Sequence, residues 1–78
     1  MKPPVPKDVN FAQINRILEL TDALEMDREW IEIPLYASTP GTIRKLPNGK
    51  IEIVVDAAMP FEEWLAAARQ ELQKMAAL

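Results

Sequence analysis

Four carboxylates fall around one junction of the chain: Asp56, Glu62, Glu63 and Glu71. Two acids can divide general acid and general base work when a cleft holds them together and drives their pKa values apart. The spacing here forces no two of them into a common cleft. The 78 residues contain no histidine and no cysteine. Zinc held by imidazole or thiolate therefore cannot form within one chain, and neither can a cysteine–histidine or serine–histidine nucleophile. An oxygen-only calcium or magnesium site needs carboxylates at loop spacing, which the sequence does not show. Nine basic residues stand against twelve acidic ones, for a net charge of −3. The bases are scattered rather than striped, so nucleic acid is not an expected partner. The expectation is a non-catalytic chain with no cofactor.

The junction lies between a hairpin and a helix. Gly41 to Asp56 reads GTIRKLPNGKIEIVVD, and Leu46-Pro47-Asn48-Gly49 suits a type I turn closed by a left-handed glycine bulge. That turn sets a register in which Arg44 faces Glu52, Ile43 faces Ile53 and Thr42 faces Val54. Ile43, Ile51, Ile53 and Val55 then share the core face, with Arg44 and Glu52 paired on the other. Pro60 opens a helix at a position that tolerates proline, followed by Glu62 and Glu63 at the positive end of the dipole. Its buried stripe is Phe61, Trp64, Leu65, Ala68, Leu72 and Met75.

Upstream, Asn10 and Gln13 form a capping box, and Val9 and Ile14 stand at the positions of a hydrophobic staple. Phe11, Ile14, Ile17, Leu18, Thr21 and Leu24 recur at helical spacing and define one face, with the helix fading near Met26. Trp30 to Leu35 alternates as a half-buried strand with Ile31, Ile33 and Leu35 inward, and Pro34 makes it an edge or ends it. Residues 1–8, MKPPVPKD, read as a proline-rich tail with a PxxP spacing. Residues 9–78 then form a single α+β domain: helix, strand, β-hairpin, helix, a small three-stranded sheet with both helices packed on one face. A chain this short buries only about 60% of its unfolded surface, which favours pairing with a copy or a partner. No apolar run spans a bilayer and the start lacks a signal's apolar segment, so no membrane role and a cytoplasmic location are expected.

The run from Gly41 to Met75, preceded by the Trp30–Leu35 strand, resembles the zincin-like metallopeptidases of the ImmA/IrrE family. In that pattern a helix and strand lead through a hairpin to the helix bearing His-Glu-x-x-His. By this resemblance Gln70 stands at the first histidine, Glu71 at the general-base glutamate and Lys74 at the second histidine. Two imidazoles four apart on a helix hold the metal whose water the glutamate activates. Glutamine is a poor ligand, lysine repels a cation, and a downstream segment giving a third ligand is not expected after Leu78. The resemblance thus implies an inactive, degenerate scaffold, with Glu71 free to pair with Lys74 on the helix surface.

What remains is recognition. The helices leave one sheet face and an edge uncovered, and Trp30, Tyr36, Thr42, Arg44, Glu52 and Val54 are the residues expected there. An off-core tryptophan is an interface residue type. The expected function is a protein-interaction domain, with a second copy in a homodimer or a heterologous protein as partner. The alternatives are an accessory fragment completed by such a partner, or a hydrolase using Glu71 with a metal supplied in trans.

Overall fold

The computed structural model describes residues 9–76; the proline tail and its PxxP spacing lie outside the described residues. Helix α1 spans Phe11–Ala23. Its start is the expected capping box: the Asn10 side chain accepts the Gln13 N–H at 2.9 Å, and the Gln13 side chain accepts the Asn10 N–H at 3.1 Å. Its end comes earlier than Met26 because the backbone turns left-handed. Glu25 has φ 60°, its N–H donates to Asp22 O at 3.0 Å, and Met26 N–H donates to Thr21 O at 2.9 Å. This is a Schellman closure built without glycine. A left-handed L-residue costs roughly 1–2 kcal/mol, part of which a glycine would return as unfolded-state entropy. Glu25→Gly is therefore expected to raise stability by about 0.5–1 kcal/mol, read as a higher urea midpoint at unchanged slope. An unchanged or lower midpoint would mean the Glu25 side chain makes up the difference.

Beyond this turn Arg28 forks onto Asp22, with Nε at 3.1 Å from one carboxylate oxygen and a terminal nitrogen at 2.6 Å from the other. Those hydrogen bonds hold the Asp22 carboxyl below its ordinary pKa. The Asp27 side chain accepts the Glu29 N–H at 3.0 Å and starts a short 3₁₀ turn, Arg28–Trp30.

Three strands follow: β1 Ile31–Glu32, β2 Ile43–Lys45 and β3 Ile51–Ile53, in the order β1-β3-β2. β1 runs parallel to β3, pairing Ile31 with Ile51 and Glu32 with Glu52. β2 runs antiparallel to β3 in the expected register, with Ile43 opposite Ile53 and Arg44 opposite Glu52. The hairpin turn closes through Leu46 N–H to Lys50 O at 2.7 Å and Gly49 N–H to Leu46 O at 2.9 Å. Gly49 takes φ 89°, the left-handed region that the turn requires of it. β1 is an edge strand, which is where Pro34 just beyond it is tolerated. After Pro34 the chain rejoins the far end of β3, with Ser38 N–H bonded to Val55 O at 3.0 Å and Ala57 N–H to Ser38 O at 3.2 Å.

Helix α2 spans Phe61–Ala76. Both helices cover one sheet face: Val9, Ile17, Ile53, Val55, Trp64, Leu65, Ala68 and Leu72 form one buried cluster. Ile31, Ile33, Ile43 and Ile51 pack against it from the sheet, and Ile14, Leu20 and Met26 from the α1 side. Thr21 is also fully buried and satisfies its hydroxyl on Leu18 O at 3.0 Å.

Phe11, Leu18 and Leu35, all expected in the core, lie outside its cluster, Leu18 half-buried. Phe11, at the first position of α1, is 84% exposed; helical spacing places it on the stripe, but at the helix start it does not join the buried cluster. The expected Trp30–Leu35 strand shortens to Ile31–Glu32, since Trp30 belongs to the 3₁₀ turn and Leu35 sits in a bend at 65% exposure. Alternation holds only while the chain stays in the ladder.

Candidate functional site

The acids at the hairpin-to-helix junction take separate local roles. Asp56 accepts the Ala58 N–H at 2.8 Å and shapes the turn between β3 and α2. Glu62 reaches across to Arg16 and ties the start of α2 to α1. Glu71 lies 3.6 Å from Lys74 one turn along α2. Among the described residues, no three carboxylates gather to share a metal ion.

The three positions of the peptidase resemblance lie on the solvent side of α2, Glu71 beside Lys74 and Gln70 one position earlier. Gln70 lines an open groove of about 670 Å³ between α1 and α2, with Arg16, Glu19, Arg69 and Gln73. Glu71 lines a different groove of about 380 Å³, between α2 and the β2 side of the sheet. Adjacent helix positions lie about 100° apart, so neighbours readily serve opposite flanks. Gln70, Glu71 and Lys74 are all exposed.

The groove beside β2 holds what the sequence did not reveal. Gly41, Thr42 and Ile43 form one wall and Trp64, Ala67 and Ala68 the other, with Asp56 and Glu71 both on its lining. Folding thus brings to one groove two acids fifteen positions apart in sequence. No local signal encodes this, because it depends on which strand α2 lies over. Asp56 is bonded to a turn N–H and Glu71 stands beside Lys74.

The residues expected on the uncovered surface divide into three groups. Arg44 and Glu52 meet as expected, Nε to carboxylate at 2.9 Å. Beside them Lys50 lies 3.9 Å from Glu32, so the outer sheet face carries a charge network that is self-compensated. Thr42 and Arg44 are exposed and Glu52 is half-buried. Trp30 is 51% exposed and Tyr36 53%. The Trp30 ring lies over the hairpin turn, its Cζ3 3.3 Å from where a side chain on Gly49 would begin, while Tyr36 lies toward the other end of β3, near the Ser38–Asp56 bridge. They do not form one patch. Val54 is a correction: it is 4% exposed and unavailable to a partner. Its position on the outer face follows from register, but it lies just past the central strand β3, where Gly41 approaches its backbone carbonyl.

No described helix is long and apolar enough to cross a membrane. No protein-family model, curated protein or solved structure matches the chain.

Proposed function

We propose that this chain is a small, non-catalytic protein-interaction domain that binds another protein or a second copy of itself. One observation carries the reading: Trp30 is half exposed yet already packed on the hairpin turn at Gly49. A large aromatic ordered before binding loses little freedom when a partner covers it, and such residues dominate interface energies. Tyr36 offers a second aromatic on the loop after β1. The peptidase-like outline enters this reading as a scaffold, with Gln70 and Glu71 on opposite flanks of α2. A heterologous partner would make the chain an accessory fragment.

Affinity capture from the source cell, with the native chain beside Trp30→Ala and Tyr36→Ala, tests the proposal. A partner whose retention falls about thirtyfold with Trp30→Ala is the expected result, corresponding to a hot spot of about 2 kcal/mol. Circular dichroism of each variant establishes that its fold persists. Retention of the same proteins by all three chains, or of none by any, would overturn the reading at these residues.

A further inference from the structure

We propose that β2 pairs edge to edge with β2 of a second copy, joining two three-stranded sheets into one around a two-fold axis at Ile43. The inference rests on the interaction reading in its self-association form, but uses a surface distinct from Trp30 and Tyr36.

The backbone is the first argument. Hydrogen-bonded pairs alternate along an antiparallel ladder. Val54 N–H bonds Thr42 O at 2.8 Å and Leu46 N–H bonds Lys50 O at 2.7 Å. Thr42, Arg44 and Leu46 therefore turn their peptide groups toward β3, while Ile43 and Lys45 turn theirs to the free side. Among the described residues nothing pairs with those groups. An open row of this kind is a template for another strand.

Charge is the second argument. A lysine on an edge ordinarily deters pairing, yet here the edge is self-complementary. On the helix side of the sheet, the Gly41–Ile43 half borders the groove lined by Asp56 and Glu71, the latter also 3.6 Å from the exposed Lys74. The other half carries Lys45, exposed and on the same side as Ile43 by the alternation of the strand. A two-fold axis at Ile43 sets Ile43 against the partner's Ile43, Thr42 against the partner's Arg44, and Gly41 against the partner's Lys45. Each Lys45 thereby enters the acid-lined groove of the other copy, twice per dimer, as an isologous interface requires. Moving the axis one residue to Arg44 would instead place two guanidinium groups directly opposite one another, which like charges disfavour. Small Ala67 and Ala68 on α2 leave the groove open to the lysine stem.

Sedimentation of the full chain over a wide concentration range reads the result directly. The native chain is expected to shift from 8.8 kDa toward twice that mass as concentration rises. Lys45→Glu, which sets an acid against two acids, should raise the dissociation constant about tenfold or more. Lys45→Glu combined with Glu71→Lys should recover most of the loss. Lys45→Pro removes an outward N–H and should abolish pairing while circular dichroism shows the fold intact. A native chain that stays at 8.8 kDa throughout, or a dimer indifferent to Lys45→Glu, overturns the proposal. Either outcome leaves the Trp30 and Tyr36 capture result standing on its own, so the two readings fail separately.

Discussion

Leu72→Ala is expected to cost about 3 kcal/mol of folding stability. Leu72 is fully buried on the inner face of α2, in the same cluster as Ile17 and Ile53. Truncation removes the burial of the missing carbons and leaves a cavity that neighbours on two helices and a sheet cannot all close. A domain of this size holds only about 4–12 kcal/mol in total, so the loss takes away a quarter of its margin or more. The expected fall in melting temperature is about 12–24 °C. Urea unfolding at unchanged slope is the direct measurement, with Leu35→Ala as control, since Leu35 is mostly exposed and should move stability by less than about 0.5 kcal/mol. Equal effects for the two leucines would mean that α2 does not close the core.

The contrast between those leucines also marks what the sequence could convey. Local devices read correctly: the Asn10–Gln13 capping box and the turn at Gly49 are set by residues within four positions of one another. The hairpin register followed from that turn and fixed the Arg44–Glu52 pair. The stripe from Phe61 to Met75 likewise needed only helical spacing to identify its buried face. Errors appeared where burial depends on partners distant in sequence. Phe11 obeys the spacing of α1 but stays exposed, and Val54 obeys the alternation of the hairpin but is buried. The run Ile53-Val54-Val55 carried a usable signal, because consecutive apolar residues mark a strand covered on both faces. It also marks β3 as the central strand, with β1 on one side and β2 on the other. The acid-lined groove had no such signal. It exists because α2 returns over β2 and sets Glu71 near the end of the turn that Asp56 shapes.

That placement ties the proposed edge pairing to the core. β2 is only three residues long, and its register against β3 is fixed by the turn at Gly49 and the Val54–Thr42 hydrogen bond. Along the open edge Ile43 packs on the core and α2 lies against β2, while Lys45 is exposed. Variants at Lys45 can alter association without loosening the fold, whereas the residue leading into the strand cannot be changed so freely.

Gly41→Ala is the second change of large expected effect, about 3 kcal/mol or more. A β-carbon at Gly41 would stand 2.5 Å from Asp56 N, 2.6 Å from Val54 O and 2.7 Å from Asp56 Cα. All three are backbone atoms, so no rotamer change relieves the overlap. The cause is close approach of two chain segments, not a left-handed glycine. Relief requires the segment before β2 to lift, straining the Val54–Thr42, Ser38–Val55 and Ala57–Ser38 hydrogen bonds that hold it. Gly49→Ala makes a useful comparison: φ is 89° there, and the nearest contact is the Trp30 ring at 3.3 Å, a side chain that can yield. Its cost should be about 1–2 kcal/mol from conformation alone. Urea unfolding orders the two glycines, and hydrogen exchange locates the damage. In Gly41→Ala the Val54 and Ala57 amides should lose protection, while the Leu46 amide at the hairpin turn keeps it. A loss below about 1 kcal/mol with those amides still protected would show that the segment relaxes without lifting.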